Sequence, residues 1–196
     1  MHKRFIVMAP RPGFTIVELL IVIVIIGILA AITIVAFNGV QARANNSKDV
    51  SAATAYSKAL KMLVEEKGES ALPTTDSCLG TSAMYPASAP KFQQDQCNTW
   101  SYDNGATYGG YSPAIFPISI LSPYMTSIPE ASNLIGHDNG ASSGALQESR
   151  GIGYQKLDYS SWKFVGRIYW MRNGKNDCPK AFYDSAANVT WCYIYF

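Results

Sequence analysis

The chain has 196 residues, with 16 basic and 14 acidic side chains for a formal net charge of +2. That length suits one globular domain with an appendage, and the near balance of charge excludes the broad cationic footprint of a nucleic-acid-binding domain. Hydrophobic residues make up 48% of the chain, yet mean hydropathy is close to zero, so the apolar residues must be concentrated, and the first 40 positions hold most of the aliphatic excess.

Residues 1–13, MHKRFIVMAPRPG, form a short leader that carries Lys3, Arg4 and Arg11 and no acid. The positive-inside rule would hold these charges in the cytoplasm. Residues 14–37, FTIVELLIVIVIIGILAAITIVAF, are 24 residues with one charge, Glu18. As a helix this run spans about 36 Å, enough for a hydrocarbon core of about 30 Å. It is longer than the apolar core of a secretory signal, usually about 7–15 residues. No small-x-small cleavage site follows either, because Ala30 and Ala36 each have isoleucine two residues earlier. A plain uncleaved anchor leaves Glu18 unexplained, since a carboxylate in a spanning helix is costly unless neutralised, paired or close to the interface.

The string Gly13-Phe14-Thr15-Ile16-Val17-Glu18-Leu19, continued to GILAAI, closely resembles the prepilin signature of type IV pilins and type II secretion pseudopilins. The resemblance covers roughly residues 11–45. It implies cleavage between Gly13 and Phe14 by a prepilin peptidase and N-methylation of Phe14. It also implies pairing of Glu18 with the N-terminal amine of a neighbouring subunit. Such a pair would fix register in a homo-oligomeric helical filament, since a mis-stagger leaves two buried charges unpaired. The implied life history begins with storage in membrane lipid and continues with extraction by the pilus assembly machinery. It ends in a cell-surface fibre for adhesion, twitching motility or DNA uptake. The resemblance leaves open a minor pilin or pseudopilin of a type II secretion or competence system. The third reading, from another class, is a membrane-anchored binding protein that never polymerises. No cofactor, metal or specific nucleic acid is called for, and no enzymatic role. Without residues 1–13, 16 − 3 = 13 basic residues face 14 acidic ones. Many type IV pilins carry a proline in mid-helix, whereas Gly27–Asn38 has none. Gly27 can loosen the helix there, at about 1 kcal/mol relative to alanine.

The expected fold is α+β, with a long N-terminal helix, half transmembrane and half amphipathic, packed on a small antiparallel sheet as in the pilin fold. Residues 38–67 continue the helix: Ala53, Tyr56, Leu60 and Leu63 form a stripe at helical spacing, and Gly68 suits a C-cap. One helix over 14–67 would measure about 81 Å; the alternative is a break at Asn38-Gly39. Residues 68–196 form the head. The stretch 69–110 reads as loop-rich, with Pro73, Pro86 and Pro90, no sustained period and a turn at Asp103-Asn104-Gly105. Cys78, Cys97, Cys178 and Cys192 read as two disulfides in an exported domain. Three pairings are possible, and proximity in sequence favours Cys78–Cys97 and Cys178–Cys192. The second loop would add about 3 kcal/mol. Residues 115–129 resemble the L-x-P-Y…P segment found between helix and sheet in several pilins and pseudopilins. In the last 45 residues Trp162, Phe164, Ile168 and Trp170 alternate with Lys163, Arg167 and Met171, Asn173-Gly174 signals a two-residue hairpin, and Val189–Phe196 reads as a terminal strand.

Other motifs read as chance. Gly140-Ala141-Ser142-Ser143-Gly144 has the G-x-S-x-G form, but a nucleophile elbow needs a strand, a helix and a later histidine. His137 precedes it, and the only other histidine is His2. With no C-x-x-C pair and one histidine outside the leader, a metal site is not expected. Asp138-Asn139-Gly140 reads as a turn before a calcium loop. Asn188-Val189-Thr190 is a formal glycosylation sequon on a strand. The 12 tyrosines and four tryptophans read as core and strand residues before adhesive ones.

Overall fold

The computed structural model describes residues 13–87, 92–101, 114–132, 135–138, 146–157 and 164–196. The leader to position 12, the Asp103-Asn104-Gly105 turn, Pro90, the Gly140–Gly144 motif, Trp162 and Lys163 lie outside those residues. The chain divides into two units, 1–42 and 43–196.

Helix α1 runs without a break from Ile16 to Lys67. No interruption falls at Gly27 or at Asn38-Gly39; a single glycine costs a helix only about 1 kcal/mol relative to alanine. Within the second unit the predicted stripe is the buried face. Ala53, Tyr56 and Leu60 are fully buried and Leu63 nearly so, and Ala52 and Ala59 widen the stripe. The helix stops at Gly68, whose φ of +80° is costly for any residue with a Cβ. Its N–H closes the last turn on Val64 O at 2.8 Å.

The sheet that receives this stripe is assembled from strands far apart in sequence. Strands β1 (Ser77–Leu79), β2 (Asn98–Ser101) and β3 (Ala114–Ile115) come first, followed by the short helix α2 (Ile118–Leu121). Then come β4 (Ile135–Asp138), β5 (Leu146–Arg150), β6 (Ile152–Lys156), β7 (Gly166–Asn173), β8 (Lys180–Asp184) and β9 (Val189–Tyr195). Six of them form one sheet in the order β3-β1-β6-β7-β9-β8, and the other three form a second sheet, β2-β5-β4. All pairs are antiparallel except β1 with β3. One face of the larger sheet presents Ile152, Tyr154, Ile168, Trp170, Cys192 and Phe196 to the helix, joined by Leu72, Phe116 and Leu121 from the connecting segments. The alternation of side chains along a strand explains why Ile168 and Trp170 reach this core while Arg167, Tyr169 and Met171 do not.

The loop-rich stretch 69–110 supplies two short strands, β1 and β2. All three residues of β1 are buried, so no alternation marks that strand. Two expectations need correction. Phe164 does not share the face of Ile168 and Trp170. It precedes β7 and is 40% exposed. Asn173-Gly174 does not close a two-residue hairpin either. Gly174 is left-handed, with φ +75°, but β7 pairs with β9, and β8 lies beyond β9 at the sheet edge. The Asn173 side chain is already engaged, accepting from His137 N–H at 2.8 Å and donating to Ile135 O at 3.3 Å. Asn176 then turns the following segment away through bonds to Asn173 O and Gly174 O.

Two polar contacts fix the second unit internally. Asp49 on α1 is fully buried and ion-paired with Arg172 of β7. Its carboxylate also accepts from the N–H and hydroxyl of Ser132 at 2.6 and 3.0 Å. Helix, sheet and connecting segment therefore meet at one buried carboxylate. At the other contact, the Tyr85 phenol donates to Leu79 O at 2.7 Å and accepts from Ile152 N–H at 3.3 Å. Burial pushes this phenol up to about 12.

Candidate assembly segment at the N-terminus

Gly13, Phe14 and Thr15 are non-helical, and α1 begins at Ile16. A Cβ built on Gly13 would meet nothing within 4 Å, and its φ lies outside the left-handed region. The described part of the chain thus gives no packing reason for glycine at this position. Phe14 is 76% exposed. The residues after it are exposed in the same way, from Ile16 and Val17 through Ile34 and Phe37. This part of α1 is long and apolar enough to cross a membrane, and none of its most apolar window is buried in the chain. Such a surface needs lipid or other protein around it.

Glu18 lies in the first turn of α1. One of its oxygens, Oε2, accepts from the backbone N–H of Thr15 at 2.8 Å and from the Thr15 hydroxyl at 2.7 Å. In return, Glu18 N–H donates to Thr15 Oγ1 at 3.2 Å. This is a capping box, with threonine at the N-cap and glutamate three residues on. It satisfies two of the backbone donors that every helix start leaves open, and the helix dipole favours the carboxylate there. This role was not among the expectations from sequence, although the T-x-x-E spacing of Thr15 and Glu18 before an apolar run is its signal. Gly27 also has open space around it.

The remaining candidate residues lie in the second unit. Cys78 is joined to Cys97, and Cys178 to Cys192. The first bridge ties β1 to the segment entering β2, and both its cysteines pack with Tyr85. The second ties the start of the β8 arm to the middle of β9, with Cys192 inside the main core. His137 meets Glu148 across β4 and β5, Nδ1 to Oε1 2.7 Å. Asp138 is buried on β4; Asn139 and Gly140 lie outside the described residues. Among the described residues no group of three or more His, Cys, Asp or Glu side chains gathers. The sequon is closed on itself: the Thr190 hydroxyl is buried and donates to Gly174 O, and Asn188 accepts from the Tyr183 phenol at 2.9 Å.

No curated protein sequence and no solved structure matches the chain. Residues 8–34 match the family model described as the prokaryotic N-terminal methylation motif. That segment contains Gly13, Phe14, the Thr15–Glu18 capping box and the exposed apolar turns of α1. The chain therefore carries the prokaryotic N-terminal methylation motif, the class III signal segment of type IV pilins and pseudopilins.

Proposed function

We propose that this chain is a structural subunit of a type IV pilus. It is held in the membrane by residues 14–37 until a prepilin peptidase cuts between Gly13 and Phe14 and Phe14 is N-methylated. It then polymerises through its N-terminal helix into an extracellular filament. The observation that carries the reading is the exposed apolar helix start within the methylation motif, with one carboxylate at position 18. In a filament, neighbouring helices cover the apolar surface, and Glu18 pairs with the Phe14 amine of an adjacent subunit. Apolar packing supplies affinity and the ion pair supplies alignment. The two disulfides suit a head that works outside the cytoplasm. No catalytic group is assigned.

The capping box offers a competing explanation for Glu18, and one pair of substitutions separates the two. Glutamine serves at the third helical position of a capping box but carries no charge. Glu18→Gln keeps the helix start and is expected to lose incorporation into sheared surface fibres as completely as Glu18→Ala, with membrane insertion and cleavage intact. Normal fibre incorporation of Glu18→Gln would leave Glu18 as a cap alone and remove the register argument. Intact mass and N-terminal sequencing of wild-type material from those fibres should give a chain that begins at N-methylated Phe14. A chain that still begins at Met1, found only in membranes, would overturn the proposal.

A further inference from the structure

The outer face of the larger sheet, turned away from α1, is only half covered. At one end β4 lies against β7, and a Cβ on Gly136 would sit 2.6 Å from the Met171 backbone. Met171 and Tyr169 are consequently buried. At the other end the strand register places a set of cations and rings side by side. Arg167 is opposite Tyr195, Tyr169 opposite Tyr193, and Lys180 opposite Tyr193 on its other flank. The Arg167 guanidinium lies over the Tyr193 ring at 5.0 Å, and the Lys180 ammonium lies over the Tyr195 ring at 5.0 Å. Gln155 Oε1 takes the Arg167 Nε–H at 2.6 Å, which orients the fork. Beside this row stand Phe164 and Phe182, 40% and 60% exposed. Phe182 is opposite Trp191.

These are features of a binding face. An exposed phenylalanine on an edge strand lowers solubility and contributes nothing to the core. Cations held over rings are pre-positioned and cost little to order when a ligand arrives. Asp76 and Asp184 are engaged elsewhere: Asp76 accepts from Gln155 at 2.8 Å, and Asp184 accepts from the N–H groups of Ala186 and Ala187 at the far end of β8. We infer that the outer sheet face formed by Arg167, Lys180, Tyr193, Tyr195 and Phe182 binds a carboxylated polysaccharide. The two cations, held over Tyr193 and Tyr195, take uronate carboxylates, and the exposed Phe182 ring takes the apolar C–H face of a sugar.

Charge and spacing select this occupant. Arg167 and Lys180 are two strand spacings apart and offset by two residues, which puts their Cα atoms roughly 12 Å apart. Two cations at that separation suit a chain whose charges are spread over sugar units. A nucleic acid has one phosphate per nucleotide and needs a basic groove that tracks it. Beyond the leader, this chain has 13 basic and 14 acidic residues. The inference does not depend on polymerisation, and its test leaves that question aside.

The test measures binding of the full-length protein in detergent micelles to immobilised alginate, to neutral dextran and to an oligothymidylate. We expect alginate to bind in a salt-sensitive manner and dextran and the oligonucleotide to bind much more weakly. The double variant R167Q/K180Q should lose roughly tenfold in alginate affinity, as expected for two charge-assisted contacts. Phe182→Ala should weaken binding while leaving the salt dependence unchanged. The urea midpoint of each variant is recorded alongside. If R167Q disturbs the sheet, K180Q, at an exposed edge position, carries the test alone. Equal binding to alginate and dextran would overturn the inference, as would an unaffected double variant. Preference for the oligothymidylate, or self-association that alginate does not compete, would assign the face to a nucleic acid or to a second copy of the chain instead.

Discussion

Thr15 and Glu18 hold each other by three hydrogen bonds, so each is expected to matter for the helix start before any neighbour is considered. Thr15→Val removes the hydroxyl while keeping the shape, and loss of a cap costs about 1 kcal/mol. Amide exchange at Glu18, whose N–H donates to the Thr15 hydroxyl, should accelerate roughly fivefold in micelles, with exchange beyond Gly27 unchanged. Gly153 is a second residue with a defined tolerance. A Cβ there would stand 2.2 Å from Cζ of Tyr169, and the Tyr169 ring is buried and cannot withdraw freely. Gly153→Ala should therefore destabilise the second unit by about 1–3 kcal/mol, read from the urea midpoint of tryptophan fluorescence. Tyr85 gives a pH prediction. Its phenol ionises near 12 in the folded chain against an ordinary 10.0. The stabilisation from the neutral buried phenol is thus complete below pH 10 and is lost as pH rises towards 12. A pH-jump titration at the tyrosinate absorbance should show late phenols, among them Tyr85 and the buried Tyr56; Tyr85→Phe should remove one of them, and the variant should lose less stability over that interval.

At the scale of elements, the contact of α1 with the sheet combines an apolar stripe with one ion pair. The stripe of Ala53, Tyr56, Leu60 and Leu63 supplies area, and Asp49 with Arg172 supplies a fixed point along it. Breaking a buried pair from one side leaves a charge without compensation. Arg172→Met should therefore cost about 3–5 kcal/mol, also read from the urea midpoint. Replacing both partners by apolar residues, as in D49L/R172M, should recover most of that loss. A double variant no more stable than Arg172→Met would mean that the Asp49 bonds to Ser132, and not the pair, hold the segment in place. The helix and the last strand were legible because each repeats one simple rule. α1 shows a lipid-facing run followed by a 3.6-residue stripe, and β9 is rich in β-branched and aromatic residues. Strands β1 and β2 were not legible, being short, and β1 is buried throughout without alternation.

Over the whole molecule, local pattern and long-range contact divided the specification between them. The sequence by itself determined the α+β class, the apolar start of α1 with its single carboxylate, the buried stripe from Ala53 to Leu63 and the helix end at Gly68. Each depends on residues within a few positions of one another, where backbone geometry alone decides which side chains share a face. Only the tertiary structure decided the strand order β7-β9-β8, the separate β2-β5-β4 sheet, the meeting of Asp49 with Arg172 and the row of Arg167, Lys180, Tyr193 and Tyr195. These join residues from distant parts of the chain. Their partners are chosen by which faces remain to be buried once the helix has taken one side of the sheet, and no local period records that choice.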